Sequence, residues 1–496
     1  MLSSSNVRKW LHSASRRTAP VDHVRELARA QAQAEDLWLA LLSGRRPIVG
    51  SLFSCDVGVD VVPEIGSALL ELISDQPLAT RQELLAATEL WHWLAASPWP
   101  ENEFDEQANV LAAIAFMLGS GYRRQREYRA MREWEERCAA LIGDLEPNRS
   151  YLALFAASSS STVSERVLDD PALLLTFCRQ HDLLRNQKPS VSLRTATRAF
   201  HAVTQKIASG ASTEDLGYLA FELAMTVAIS AVHLRQGEVA VAWVQAADWA
   251  LGLTPNCSWL QPIVDGLRIV VLFALGEGQA VLSEAPSVIR ELEILGADRN
   301  VMSVLIAQAQ CLKNVKRHKE AIEILERLTS TYADGEQSRL GIAYAHLADA
   351  KTETGDVAGA IRDCQIAYPL LRDSGLSFGI PSLQAIVGQL FRVMGRTGDA
   401  LSALREAATN YSEQDFRAWA GYARILAAET LLLAERAPEA LEELLVALEL
   451  LEGSGAEQEL WAAVRLLRSA LAATKPATSH LRRCRERLEL IRNSHL

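Results

Sequence analysis

The chain has little of what most enzymes and disulfide scaffolds depend on. Aromatic residues make up 6% of its 496 positions, and methionine occurs six times. Seven cysteines lie scattered at 55, 138, 178, 257, 311, 364 and 484. None forms a Cys-x-x-Cys pair, so the spacing argues against a disulfide framework and for free thiols in a reducing compartment, the cytoplasm. There is no Gly-x-x-x-x-Gly-Lys-Ser/Thr, no His-Glu-x-x-His and no paired-carboxylate motif, so the sequence expects neither phosphate-loop nor zinc-protease chemistry. No stretch approaches the ~20 apolar residues of a membrane span. The longest candidate, "YLAFELAMTVAISAVHL" at 218–234, carries Glu222 and reads as a buried helix. Alternating apolar patterning is confined to "SLFSCDVGVDVV" at 51–62, so strands are nearly absent.

What the chain does have is aliphatic bulk. Hydrophobic residues make up 49% of it, enough for a large core built from alanine and leucine in an all-α fold. In the second half an alanine followed by a branched apolar residue returns every 39 or 40 positions: Ala321-Ile322, Ala360-Ile361, Ala400-Leu401, Ala440-Leu441. Twelve residues before each marker lies Ala309, Ala348, Gly388 or Ala428, and seven after it Leu328, Ala367, Ala407 or Ala447. Small residues at fixed offsets require two helices to approach closely at fixed heights. Between the first two columns stand Lys316, Gly355, Gly395 and Glu435, where a helix is expected to end on a left-handed residue. A helix pair that returns at a fixed period hides its apolar face by stacking on its neighbours, which is the logic of an α-solenoid.

The pattern resembles the tetratricopeptide repeat family. The resemblance rests on the small residue of the first helix (Ala348, Gly388), the turn glycine (Gly355, Gly395) and the two second-helix alanines (Ala360 with Ala367, Ala400 with Ala407). The unit departs from the family's usual 34 residues in being 39–40 long, as in extended bacterial repeat regulators and scaffolds. The match is good over 299–453 and weaker over 218–298. It implies a superhelix of stacked antiparallel helix pairs that binds protein rather than catalysing a reaction.

The expected organisation is a basic tail at 1–20, a helical region of divergent repeats at 21–146, a linker or bend at 147–164 and a second divergent repeat region at 165–217. The solenoid follows at 218–455, with capping helices at 456–496. Helices are expected at 21–43, 64–75, 79–96, 104–118, 122–142 and 164–184. Segments 80–118 and 192–230 share a helix, turn, helix pattern. Residues 1–20 and 474–496 carry +4 each, so the body at 21–473 holds −19 of the total of −11.

Candidate chemistry is sparse. Gly375-Leu376-Ser377-Phe378-Gly379 fits a hydrolase elbow, but that elbow needs a preceding strand and here joins two repeat helices. His480 and Cys484 share a helix face without further metal ligands. No cofactor and no metal is expected. "YRRQREYRAMREWEERC" at 122–138 mixes arginine with aromatics, as nucleic-acid binders do. Its Glu133–Arg137 spacing and its stripe of Tyr128, Met131, Trp134, Cys138 and Leu141 read instead as a salt-bridged helix over a core.

The resemblance places the family's groove at Gln310, Asp349, Gln389 and Glu429, with Lys313, Asn314, Thr352 and Arg392 one turn on. The positions of a carboxylate clamp hold Ser303, Ile306, Ile342, Ala345, Ser382 and Ala385, so a clamp for acidic tails is not expected. The sequence therefore reads as a non-enzymatic scaffold or adaptor whose groove takes a peptide or protein of basic character. Nucleic acid and membrane are not expected partners. Alternatives are a peptide-responsive sensor and, through 122–138, an RNA-associated factor. Ala360→Trp or Ala400→Trp should overpack a pair, and Thr352→Trp, on the groove wall, should be mild.

Overall fold

The computed structural model describes residues 80–96, 104–145, 188–210, 213–333, 335–374, 376–473 and 482–484, and the single positions 38, 66, 78, 175 and 178. Among these every regular element is helical. The expected basic tail at 1–20, the alternating stretch at 51–62 and the linker at 147–164 lie outside the described residues, as does nearly all of the helix expected at 164–184.

The helices in chain order are α1 (Arg81–Ala96), α2 (Phe104–Arg124), α3 (Tyr128–Leu145), α4 (Pro189–Ala208), α5 (Thr213–His233) and α6 (Gly237–Gly252). A 3₁₀ turn (Pro255–Leu260) precedes α7 (Gln261–Ala274), α8 (Gly278–Leu295), α9 (Asp298–Asn314), α10 (His318–Thr331), α11 (Gln337–Thr354) and α12 (Val357–Asp373). The series ends with α13 (Gly379–Val393), α14 (Thr397–Glu413), α15 (Arg417–Leu433), α16 (Ala437–Leu451) and α17 (Glu457–Ala473). The segments at 80–118 and 192–230 each hold two helices, α1 and α2 in the first, α4 and α5 in the second. The chain divides into two compact units: residues 1–180, 198–223 and 249–260, and residues 181–197, 224–248 and 261–496. The boundary expected between 217 and 218 falls inside α5, a continuous helix.

In the first unit α1 opens on a capping box. The Thr80 amide donates to Glu83 Oε2 at 2.7 Å and the Glu83 amide to Thr80 Oγ1 at 3.2 Å, satisfying two orphan donors at once. The helix expected over 122–142 is in fact two. α2 continues to Arg124, the chain turns with Arg126 at φ 60°, and α3 begins at Tyr128. The polar run Gln125-Arg126-Glu127 offers no apolar side chain to bury, and the Glu127 amide closes the turn by donating to the Tyr122 carbonyl at 3.0 Å. Met131, Trp134 and Cys138 face the core as the stripe requires. Leu216–His233 and Asn256–Ala274 are, against the sequence expectation, long and apolar enough to cross a membrane; the first is 83% buried within the protein. Its Glu222 is ion-paired with Arg132 at 3.2 Å.

In the second unit α7/α8, α9/α10, α11/α12, α13/α14 and α15/α16 are helix pairs, and the first helices α7, α9, α11, α13, α15 and α17 pack on one another in series. All four marker alanines, Ala321, Ala360, Ala400 and Ala440, are fully buried, as are Leu328, Ala367, Ala407 and Ala447. Gly388 shows what fixes the helix separation. A Cβ there would meet Leu404 Cγ of the paired helix at 2.7 Å, so α13 and α14 sit closer than any side chain at 388 allows. The turn column behaves as a unit: Lys316, Gly355, Gly395 and Glu435 have φ of 65°, 82°, 72° and 57°. In each turn the next amide reaches back to a carbonyl five residues earlier, Arg317 to Leu312 and Asp356 to Lys351 among them, which is the Schellman closure of a helix.

Candidate functional site

The groove candidates stand on α9, α11, α13 and α15, the first helices of consecutive pairs. The structure joins four of the eight to each other. Lys313 Nζ is ion-paired with Asp349, and Arg392 with Glu429 at 3.8 Å. The same ladder holds Arg299 to Glu336 at 2.9 Å, Arg339 to Ser303, and Lys316 to Glu353 at 3.7 Å. Every rung links residues 36 or 37 positions apart, so each partner lies two or three residues earlier on the next helix than the repeat itself would place it. Single-sequence columns of 39 or 40 could not reveal these pairs; opposite charges at an offset of 36 were the available signal.

The remaining candidates differ in access. Asn314 is exposed and Gln389 half-buried. Thr352 is 3% exposed and donates to the Ala348 carbonyl at 2.7 Å. It faces packed helix rather than an open wall, so Thr352→Trp is corrected from mild to disruptive. Gln310 is 7% exposed and its Nε2 has no hydrogen-bond partner. The buried Nδ1 of His346 is likewise without a partner.

Electrostatics follow the burial. Burial lowers the Lys313 ammonium, and the charge and hydrogen bond of Asp349, with smaller help from Tyr422 and Glu353, outweigh it and raise the net value. His346 is held down to about 4, chiefly by burial and then by the Lys313 charge, with Asp349 opposing. The Tyr422 phenol is pushed up by burial, and Glu429 is raised by burial against the pull of Arg392. These groups form one coupled polar patch across α9, α11 and α15, with Arg235 and Glu429 within its field.

Early and late parts of the unit then meet. The Trp419 indole N–H donates to the His233 carbonyl at 2.9 Å, Arg235 is ion-paired with Glu459, and Gln458 donates to the Leu275 carbonyl. Five steps of helix stacking at roughly 8–10 Å each would hold α7 and α17 roughly 50 Å apart in a straight array. Contact between the turn after α7 and the start of α17 therefore requires the stack to curl, with the first helices on the inside.

Helix pairs with left-handed Schellman turns, buried small columns at three offsets and a curled stack of first helices decide the repeat type. The repeat is tetratricopeptide-like. No family model and no curated protein matches the chain. Among solved structures, a Rap protein complexed with Competence and Sporulation Factor aligns over 84% of this chain and 99% of its own, at 11% identity and a TM-score of 0.47. The Cut9–Hcn1 hetero-tetramer of the APC/C aligns over 92% and 95%, at 10% identity and 0.38. Yeast Tom70 aligns over 90% and 96%, at 11% identity and 0.36.

The tetratricopeptide-like stack also carries an open cleft of about 340 Å³ between α12, α13 and α14. Ile380, Leu383, Val387 and Phe391 line it with apolar surface, and Asp399, Glu406 and Tyr368 share the lining. Glu406 accepts from Gln384 at 2.8 Å, and Arg396 covers the Phe391 ring at 4.6 Å while pairing with Asp399. Sequence reasoning missed this cleft, since its apolar residues are indistinguishable by type from core.

Other motifs are placed by the same geometry. Ser377 lies in the turn between α12 and α13, with helix on both sides; Gly375 lies outside the described residues. Cys484 is buried, its thiol raised by burial, and His480 lies outside the described residues. Six cysteines are free and buried, and burial pushes Cys311 to about 11 and Cys364 to about 12. In the first unit three of the six arginines at 122–138 pack on neighbouring groups, while Arg126 and Arg129 are exposed. Arg123 stacks on the Tyr218 ring at 4.2 Å, Arg132 pairs with Glu222 and Glu135, and Arg137 covers Trp134 at 4.5 Å.

Proposed function

We propose that this tetratricopeptide-like chain is a non-enzymatic interaction scaffold, acting in the cytoplasm, that docks a partner's apolar side chain in the α12–α14 cleft. A basic residue of the partner meets the carboxylate of Glu406, which accepts from the neutral Gln384 amide, whereas Asp399 is already paired with Arg396. The cleft is the observation that carries this reading. It is an open cleft lined by Ile380, Leu383, Val387 and Phe391 together with the Glu406 carboxylate, a combination that suits a short segment with one apolar anchor and one cation. Body charge of −19 favours the same partner at long range and makes the encounter salt-sensitive. The polar column on the first helices contributes less, because its charged members are already paired with each other.

The test is affinity purification of the tagged chain from its own organism at low and high salt, with mass spectrometry of what is retained. Wild type is compared with Ala403→Leu, which fills the cleft, and Glu406→Lys, which reverses its edge. A partner retained by wild type and lost from both variants supports the cleft. A partner retained equally by all three removes it.

A second reading, a sensor that responds to a small peptide, is favoured by the closed inner face around Arg235 and Glu459, since a ligand entering there would have to open it. An RNA-associated role is weakened by the inward contacts of Arg123, Arg132 and Arg137.

A further inference from the structure

The turn after α5 brings Arg235 to the inner face of the stack, and its surroundings are those of a ligand site rather than of a surface ion pair. Its guanidinium carbon lies 4.4 Å from the Trp419 ring centre and 5.4 Å from that of Tyr422. The two rings stand at 88° to one another with centroids 6.4 Å apart, forming two walls of a corner. The carboxylate of Glu459, itself mostly buried, closes the third side with an ion pair. A planar cation faced by two perpendicular rings and one carboxylate meets every recognition element a guanidinium uses: ring faces, fixed-direction acceptors and weak hydration.

The corner is also held in place from behind. Trp419 is fixed by its N–H bond to the His233 carbonyl and by the stacked Tyr411 ring, 23° from parallel at 6.0 Å. The Tyr411 hydroxyl is in turn bonded to the Ser382 hydroxyl at 2.6 Å. Walls supported by neighbours other than the cation keep their positions when the cation leaves.

We infer that Trp419, Tyr422 and Glu459 form a guanidinium-binding site that Arg235 fills in cis, and that an arginine side chain of a partner peptide is the external ligand that competes for it. The occupant is a long side chain, so it withdraws by rotation about its own bonds while the turn, closed by the Gln236 amide on the Ala231 carbonyl at 2.8 Å, and the His233 carbonyl that holds Trp419 stay in place. Entry of a partner's arginine releases the Arg235–Glu459 link between the early and late parts of the unit. The site is separate from the α12–α14 cleft, so its test does not depend on that assignment.

The test uses the full chain carrying Arg235→Ala, titrated with Nα-acetyl-arginine amide and, separately, Nα-acetyl-lysine amide, following tryptophan fluorescence and melting temperature. The arginine probe is expected to change the fluorescence saturably, to recover melting temperature, and to bind about tenfold tighter than the lysine probe. Wild type should respond only at much higher probe concentration, and Arg235→Ala with Glu459→Gln should lose the preference. Should Arg235→Ala fold poorly, Arg235→Gln keeps part of the side-chain stem, removes the cation and serves for the same titration. Equal responses to both probes, or an arginine response that persists without the Glu459 charge, overturns the site.

Discussion

Arg235 and Glu459 are ion-paired across 224 positions of sequence. Nothing local brings them together; only the summed rotation of five helix pairs does. The pair thus reports the curl of the stack, to which the rungs contribute at the α9–α11 and α13–α15 steps.

Lys313 and Asp349 make the most enclosed of these rungs, with side-chain exposures of 19% and 7%. Asp349→Lys should destabilise the chain by roughly 3 kcal/mol, because it places two cations where one was compensated. The swap Lys313→Asp with Asp349→Lys should recover much of that loss. Thermal melts of the three variants check it, and a swap no better than the single change would mean the rung does not couple the helices.

His346 sits below its ordinary value, at about 4. Below about pH 6.5 the unfolded chain takes up a proton that the folded chain refuses, so its contribution to stability is full above pH 6.5 and is lost as pH falls towards 4. The loss is at most ~3 kcal/mol. Replacing His346 with Gln should flatten melting temperature against pH between 6.5 and 4, while leaving the slope below 4 to the carboxylates.

Gly388→Ala places a methyl 2.7 Å from Leu404 Cγ, and Leu404 is fully buried with no room to retreat. A cost of about 1–3 kcal/mol is expected. Ala400→Trp, at a position with no exposure, should cost at least as much. Denaturant midpoints measure both, and an unchanged midpoint for either would contradict the helix separation described above.

Glu435 is exposed and holds φ 57° at a turn where two of its three counterparts are glycine. Glu435→Gly should stabilise by about 0.5–1 kcal/mol by removing the left-handed penalty. Glu435→Val, branched at Cβ, should destabilise. A reversed order in the two melting temperatures would rule the backbone explanation out.

Arg132 compensates two buried carboxylates, Glu222 and Glu135, and Glu135 also accepts from the Tyr218 hydroxyl at 2.7 Å. Arg132→Ala should destabilise by roughly 3 kcal/mol, and adding Glu222→Leu should restore part of it, since one of the two stranded carboxylates is removed while Glu135 keeps its bond from Tyr218. Chemical denaturation followed by the near-ultraviolet signal of Trp134 and Tyr218 would show whether the second change rescues the first.

The fold was legible where one residue type answers one geometric demand. Small residues at 348, 360, 388 and 400 and left-handed turns at 355 and 395 are demands of backbone proximity, which is written into composition at fixed offsets. The turn at Arg126 was missed because its tip is not glycine, and only the hydrogen bonds of the closed helix end identify it. The candidate site was legible in part. The polar column was found, but its pairing depends on how far one helix slides along the next, a quantity that no single repeat contains. The Trp419 corner was invisible for a similar reason, since its cation comes from 184 positions upstream.

The repeat advances 39 or 40 residues along the chain while the rungs advance 36 or 37. At the α9–α11 and α13–α15 steps that shortfall, at about 1.5 Å per helical residue, offsets one first helix from the next by roughly 3–5 Å. Pitch at these two steps is thus tied to sequence spacing rather than to any one contact. Lengthening a loop between pairs would leave it untouched, whereas moving a charged residue of a rung by one helical turn would wind that step tighter or slacker.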